Sequence, residues 1–381
     1  MIYRKNSTKL VLFFLSNDII VIGDIMKVII SAAGTGGHIY PAISIINKIK
    51  EENKDCSFIY IGTTDRMEKD IIPKLGIKYI GLDVKGFSKN VFKTVKAFNL
   101  MLKARKKCLE IMKEFKPDIV IGVGGYVTVP VILAAHKLKI KTLIHEQNSI
   151  PGKANIFISK YVDRICVSMK SSEKYFDKNK TVYTGNPRAE EVLKNKKHTK
   201  KELGFDEKKK LVLITMGSLG SKTVNKTVGD ALRKVKNKPY DILFVTGESY
   251  YEDYKDIKSS NVKVVKYLNN MPDVLQVTDL IISRSGATIA SEIMALGVVS
   301  ILIPSPYVPN NHQYLNAMEF VNNNATVLIN ESELTEDKLL KEIDNIFSDN
   351  KHYEEMKENT KKLATPHSLT DIYKEIERLV K

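Results

Sequence analysis

Short apolar runs rich in Ile and Val alternate with helix-length amphipathic stretches through almost the whole chain, and this alternation constrains the fold most. The runs fall at 27–33, 57–61, 77–81, 118–123, 141–145, 164–168 and 181–184, then at 210–215, 241–245, 262–265, 279–283, 299–303 and 325–329. A strand covered on both faces reads as a continuous apolar run, and a helix between two such strands is the crossover of a parallel sheet. The pattern predicts an α/β fold with helices on both faces of parallel sheets. At 381 residues the chain exceeds one ordinary core, so two domains are expected. The polar, lysine-rich stretch 189–209 reads as the linker that opens the second.

Both halves begin alike. Lys27–Ala33 leads into GTGGH and a helix, and Leu211–Met216 leads into GSLGSKTVN and a helix. This repeated architecture predicts two Rossmann-like doubly wound domains facing across a cleft, with ligands beyond the carboxyl ends of the strands. The expected division is an N-terminal extension at 1–25, domains at 26–186 and 187–365, and a final helix at 366–381 that packs back on the first domain. The extension carries LVLFFL after MIYRKNSTK, but Ser16-Asn17-Asp18 interrupts the apolar run and no small-residue cleavage site follows. Met26 directly precedes the first good strand, so residues 1–25 read either as an extension or as a misassigned start.

The formal charge of +16 fits an anionic partner, and equally fits a chain generally rich in Lys, Asn and Ile. Cys56, Cys108 and Cys166 are too scattered for a disulfide or zinc framework and point to a reducing compartment. No segment has the length and continuity of a membrane span, because Gly122, Gly124, Gly125 and Pro130 break the uncharged stretch 119–135.

Glycines at a strand-to-helix turn let backbone N–H groups and the helix dipole meet an anion. Gly34, Gly36 and Gly37 fit that use, and fit a purely structural tight turn equally. Their spacing is not G-x-G-x-x-G and no acidic residue closes the run 57–61, which disfavours a dinucleotide. His38 lies in the first helical turn, where the dipole favours a neutral imidazole able to accept a proton; a histidine bonding its own loop is the alternative. GVGGYVTVP (122–130) and HEQNSIPG (145–152) follow two further strands on the same sheet edge. His145, Glu146, Gln147 and Asn148 offer the donors and acceptors that a sugar or peptide acceptor needs, or else form a capping network. Arg188 of GNPR suits a diphosphate through bidentate contacts, or a surface ion pair. In the second half GSLGS (217–221) repeats the anion cradle, and Ser285-Gly286-Ala287-Thr288 opens another helix. Glu292 within that helix suits the hydroxyls of a ribose, or is an exposed helical glutamate, and His312-Gln313 opens a helix with a sugar contact or a cap. No Asp-X-Asp occurs, so helix N-termini and basic side chains would have to hold any diphosphate.

In order, GTGGHIYPA, GVGGY, HEQN, GNPR, GSLGS, SRSGATIASE and HQYLNA resemble the MurG family, from about Met26 to the C-terminus. These glycosyltransferases add N-acetylglucosamine to lipid-linked muramyl-pentapeptide in bacterial peptidoglycan synthesis. The resemblance implies the two-domain GT-B arrangement, a metal-independent hexosyltransferase without cofactor, and UDP-GlcNAc bound mainly on the second domain. It puts Ser218 and Arg188 at the diphosphate, Leu268 at the uracil, Glu292 at the ribose, and Gln313 and Asn148 at the GlcNAc, with Ala287 and Thr288 lining the donor site. Thr35, Gly36, Gly37 and Tyr126 shape the floor for donor and acceptor, with Gly34, His145, Glu146 and Gln147 on the acceptor side. His38 is the candidate base for an inverting attack of the muramyl C4 hydroxyl on the anomeric carbon. Departures are small: Ala33 and Met216 stand where many members have glycine, and Leu219 where they have glutamine, which removes a polar contact from the serine loop.

A lipid-anchored acceptor implies docking of the enzyme on anionic membrane, peripherally and on the cytoplasmic face. Residues 85–107 place Val91, Phe92, Val95, Phe98 and Leu102 near one helical face among lysines, with Lys85, Phe87, Phe92, Lys93 and Lys96 as the docking residues. An ordinary core-facing helix is the alternative. HEQN and GNPR together argue against a glycolipid synthase or a UDP-GlcNAc 2-epimerase. No recognition-helix, OB or RRM signature supports a nucleic-acid partner.

Overall fold

The computed structural model describes residues 11–15, 18–22, 25–86, 90–195, 198–217, 219–235, 237–257, 259–269 and 271–381. The chain divides into two compact units. Unit 1 takes residues up to Gln147, Pro151–Pro187 and Leu369–Lys381; unit 2 takes Asn148–Ile150 and Arg188–Ser368.

A short antiparallel pair, β1 (Val11–Leu15) and β2 (Asp18–Ile22), comes first. Seven parallel strands follow: β3 (Met26–Ala32), β4 (Cys56–Thr63), β5 (Lys78–Leu82), β6 (Ile119–Gly124), β7 (Lys141–Glu146), β8 (Arg164–Val167) and β9 (Thr181–Tyr183). Their order in the sheet is β5-β4-β3-β6-β7-β8-β9. Side-chain alternation sends Val28 and Ile30 to one face, with Ile39, Ile45 and Ile49 of α1 (Gly36–Glu52). Ile29 goes to the other face with Met101, Cys108 and Met112 of the long helix Val91–Phe115. The winding reverses between β3 and β6, the position where doubly wound sheets open a ligand crevice. The pairing also slips there, since Ser31 faces Gly122 but Ala32 faces Gly124. This bulge re-aims the end of β6 beside the GTGGH turn.

Unit 2 repeats the scheme with β10 (Lys210–Thr215), β11 (Tyr240–Val245), β12 (Val262–Val265), β13 (Leu280–Ser283), β14 (Val299–Leu302) and β15 (Thr326–Leu328). All are parallel, in the order β12-β11-β10-β13-β14-β15. The reversal falls between β10 and β13, so GSLGS and SRSGAT flank it just as GTGGH and GVGGY flank the reversal in unit 1.

The linker expected at 189–209 is not one throughout. Pro187–Lys194 forms a helix that buries Ala189 and Val192. With so few apolar residues on its inner face, its composition is that of a solvated segment. The last helix, Ser368–Val380, adds Leu369, Ile372 and Ile376 to the core around β3. Asn53 Nδ2 donates to Tyr373 Oη at 2.7 Å, and Arg164 Nε meets Glu375 Oε2 at 3.0 Å.

Candidate active site

In unit 1 the two glycine loops form one seat for His38. The ring donates from Nδ1 to Ala33 O (3.0 Å), because a carbonyl only accepts, so that in the neutral ring the lone pair lies on Nε2. The structure shows the loop-bonding reading of His38, and that bond fixes the tautomer of the neutral ring. Gly124 has φ +118°, and a Cβ there would lie 2.5 Å from Cδ2 and 2.8 Å from Nε2 of His38. A Cβ on Gly125 (φ +91°) would come within 2.8 Å of Ala33 O, and Ala33 N donates to Gly124 O at 3.2 Å. Only glycine permits this contact of ring and backbone. Thr35 caps α1 with extended backbone and makes no side-chain cap bond, while Gly36 and Gly37 begin the helix. Tyr126 is about half exposed on the turn after β6, and Gly86 lets its ring pass, since a Cβ at Gly86 would be 2.6 Å from it.

Sequence reading missed Glu68. It is fully buried, accepts from Thr63 N (2.9 Å) and Thr63 Oγ1 (2.7 Å) through Oε1, and holds Gly34 N at 3.4 Å through Oε2. Its setting, DRMEKD, reads as a solvated charged turn, so composition gave no signal.

The HEQN residues need correction. His145, Glu146 and Gln147, expected against an acceptor, are buried and bonded within the protein. His145 Nε2 donates to Gly185 O (3.1 Å), and its Nδ1 accepts from Gln147 Nε2 (3.1 Å), which also donates to Val123 O (2.8 Å). Burial lowers the pKa of His145 to about 4, so the ring is neutral. Glu146 Oε2 accepts from Gly152 N (3.0 Å) and Asn155 Nδ2 (2.8 Å). The physical reason is position: His145 and Glu146 still belong to β7, between β6 and β8, and are covered on both faces. They brace the strand next to Gly124 and so support the seat of His38.

In unit 2, Asn316 draws three motifs together. Its Oδ1 accepts from Ser149 N (3.0 Å) and Ser149 Oγ (2.8 Å), and its Nδ2 donates to Ser285 O (3.1 Å) and Asn148 Oδ1 (3.4 Å). Gln313 Oε1 accepts from Ser305 N (2.8 Å), which turns its Nε2 donors outward from that bond. Ala287 is buried and Thr288 half-buried at the start of helix Ala287–Leu296, and Leu268 is half-buried in the loop after β12. Gly220 (φ +71°) lies against the backbone of Thr246, with room for no Cβ (2.2 Å from Thr246 O). Arg284, another residue the sequence did not single out, ties this loop down: Nη2 donates to Ser221 Oγ (2.8 Å) and Glu331 (2.6 Å), and Nη1 to Ile303 O (3.0 Å). Met216 joins the core while Leu219 is exposed. Ser218, Phe87 and Lys89 lie outside the described residues.

Arg188 and Glu292 pair with each other. Glu292 is only 5% exposed, so it is no surface glutamate. Arg188 Nε (2.8 Å) and Nη2 (2.7 Å) both donate to its Oε1, while Nη1 pairs with Glu191. Burial raises the carboxyl pKa of Glu292, and Arg188 opposes the shift. The ion pair given as the alternative for Arg188 is therefore present, with two carboxylates as its partners.

The helix Val91–Phe115 has two apolar faces. Ala97, Met101, Ala104, Cys108 and Met112 enter the core, whereas Phe92 (88%), Val95, Phe98 and Leu102 are exposed, with Lys93 and Lys96 beside them and Lys85 exposed just before. The core-facing reading holds for the face of Ala97 to Met112, while the phenylalanine face lies on the exposed side.

The family model for the glycosyltransferase family 28 N-terminal domain matches residues 28–167, and that for the C-terminal domain matches residues 211–372. A UDP-N-acetylglucosamine–N-acetylmuramyl-(pentapeptide) pyrophosphoryl-undecaprenol N-acetylglucosamine transferase of Halalkalibacterium halodurans is 44% identical, covering 93% of this chain and 100% of the relative. The protein of the same name from Bacillus licheniformis is 43% identical over 93% and 99%. The crystal structure of Acinetobacter baumannii MurG superposes with a TM-score of 0.75 at 27% identity, covering 93% of this chain and 99% of that one. Two parallel α/β units, the ordered motifs and these likenesses agree: the chain belongs to glycosyltransferase family 28 and, within it, to the MurG family of N-acetylglucosamine transferases.

Proposed function

We infer that the chain moves GlcNAc from UDP-GlcNAc to the MurNAc of undecaprenyl-diphospho-MurNAc-pentapeptide, the step that converts lipid I to lipid II in peptidoglycan synthesis. Its family membership supports this reaction. The reading of the chemistry rests on one observation, the bond from His38 Nδ1 to Ala33 O. With the lone pair on Nε2, His38 takes the proton of the muramyl C4 hydroxyl as that oxygen bonds to the anomeric carbon. The bond from that carbon to the diphosphate breaks with its electron pair, and UDP leaves. Attack opposite the leaving group inverts the α-linked donor to a β1,4 product. NMR of the purified product should show a large, axial-axial H1–H2 coupling on the new sugar; a small, α-type coupling would overturn the inverting mechanism.

The donor belongs to unit 2 in this reading. The N-termini of helices Lys222–Lys234 and Ala287–Leu296 take the diphosphate, Glu292 the ribose, Leu268 the uracil, and Gln313 and Asn148 the sugar. Thr35, Gly36 and Gly37 shape the floor for donor and acceptor, with Gly34 and Tyr126 on the acceptor side. His145, Glu146 and Gln147 support that surface from within.

Docking on the cytoplasmic face of the membrane is the natural use of the exposed face Phe92–Val95–Phe98–Leu102 and its lysines. Among the described residues no helix is long and apolar enough to cross a membrane. Phe92→Ser/Phe98→Ser is expected to weaken sedimentation with phosphatidylglycerol vesicles by about tenfold or more, because each phenylalanine contributes about 1.5–3 kcal/mol on burial. Turnover on detergent-solubilised acceptor should hardly change. Undiminished vesicle binding would overturn the docking surface.

A further inference from the structure

We propose that Glu68 is a positioning residue for His38, acting through the peptide bond between Ala33 and Gly34. The proposal rests on the reading of His38 as the base.

A single peptide group lies between the two side chains. Its carbonyl, Ala33 O, accepts from Nδ1 of His38 at 3.0 Å, and its amide, Gly34 N, donates to Oε2 of Glu68 at 3.4 Å. Among the described residues no peptide bond is cis, and in a planar trans peptide the carbonyl and the N–H point in opposite directions. Holding the N–H at Glu68 thus aims the carbonyl at His38. Gly34 does not hold that plane by itself, because its φ of +111° is only one of the conformations open to glycine. The peptide needs an external anchor, and Glu68 supplies one from 34 residues away.

The carboxylate is itself fixed. Oε1 accepts from Thr63 N (2.9 Å) and Thr63 Oγ1 (2.7 Å) at the end of β4. A Cβ on Gly62 would lie 2.7 Å from Cγ of Glu68, so the strand leaves room for the chain. Both oxygens face N–H donors, which suits a carboxylate as an acceptor-only group. Glu68 is fully buried, and among the described residues no basic side chain forms an ion pair with it. A buried charge without a cation is costly, and a neutral side chain would bond Thr63 as well. What the charge adds is polarisation. It draws on the Gly34 N–H and strengthens Ala33 O as the acceptor for Nδ1–H, as hydrogen bonds in a chain reinforce one another. Glu68 therefore keeps the proton of the neutral ring on Nδ1 and the lone pair on Nε2, without touching ring or substrate.

The test reads the imidazole nitrogen NMR shifts of the full-length chain above neutral pH, alongside turnover, with His38 assigned by its loss in His38→Ala. In the wild type, His38 should carry its proton on Nδ1 and leave Nε2 unprotonated. Glu68→Gln keeps the size and still bonds Thr63 through its oxygen, which leaves its amide nitrogen facing the Gly34 N–H. His38 should then become a mixture of tautomers, and kcat should fall about 10- to 100-fold, the range for losing an outer-shell partner of a functional histidine. KM for UDP-GlcNAc should stay within about twofold, since the donor is assigned to unit 2. Glu68→Asp, with the charge but a shorter reach, should recover part of both losses. A role confined to stability would lower the unfolding temperature and leave tautomer and kcat as in the wild type; that result for Glu68→Gln would overturn the proposal. So would a wild-type His38 protonated on Nε2, a reading that needs no variant to fold. His38→Ala tests the base separately: wild-type turnover there, with a shifted tautomer in Glu68→Gln, would leave Glu68 positioning the ring and place the base elsewhere.

Discussion

His38→Ala is expected to lower turnover by about 10²- to 10⁴-fold, the range for loss of a general base. Affinity for UDP should change by less than about twofold, since UDP is assigned to unit 2 and independent sites are close to additive. The expectation follows from the seat described for the ring. Nδ1 is committed to Ala33 O, so Nε2 is the nitrogen that accepts the hydroxyl proton. His38→Gln, which keeps a polar side chain but no base, should be nearly as slow. Turnover within tenfold of wild type for both variants would remove His38 from the chemistry. A large loss of UDP affinity would instead make the residue part of the donor site.

Gly124→Ala tests the seat without touching the base. The new methyl would lie 2.5 Å from the imidazole, and the backbone there has φ +118°, which an L side chain rarely adopts. Either the ring or the strand end must move. Strain of this kind costs about 1–3 kcal/mol, and a misplacement of about 1 Å can cost about 10²-fold in rate. Turnover is expected to fall about 10²-fold, with UDP affinity retained and thermal unfolding only modestly earlier. Wild-type turnover in Gly124→Ala would mean that the contact between the two glycine loops does not position the base.

The strands were legible because buried parallel strands advertise themselves as apolar runs ended by glycine or polar residues. Each predicted strand lies within two residues of the observed one at both ends. The paired motifs were legible as strand-end loops, and the strand order explains why they act in pairs, each pair flanking a reversal of winding. What the residues alone did not reveal is which way polar side chains point. His145 and Glu146 look like ligand contacts in HEQN, yet a central strand carries them inside, and Gln147 directly after it is buried as well. Glu68 and Arg284 look like ordinary surface charges, yet each is buried and bonded to a site loop. The helix Pro187–Lys194 escaped because Ala189 and Val192 are too sparse a stripe to mark amphipathicity. Long-range pairs such as Arg188 with Glu292 leave no local pattern.

The most direct measurement is UDP release from UDP-GlcNAc by the purified chain, with and without undecaprenyl-diphospho-MurNAc-pentapeptide. The account predicts release only with that acceptor, in step with a β1,4-linked GlcNAc on the lipid, and almost none from His38→Ala. Equal release without the lipid, or release with no disaccharide formed, would contradict it.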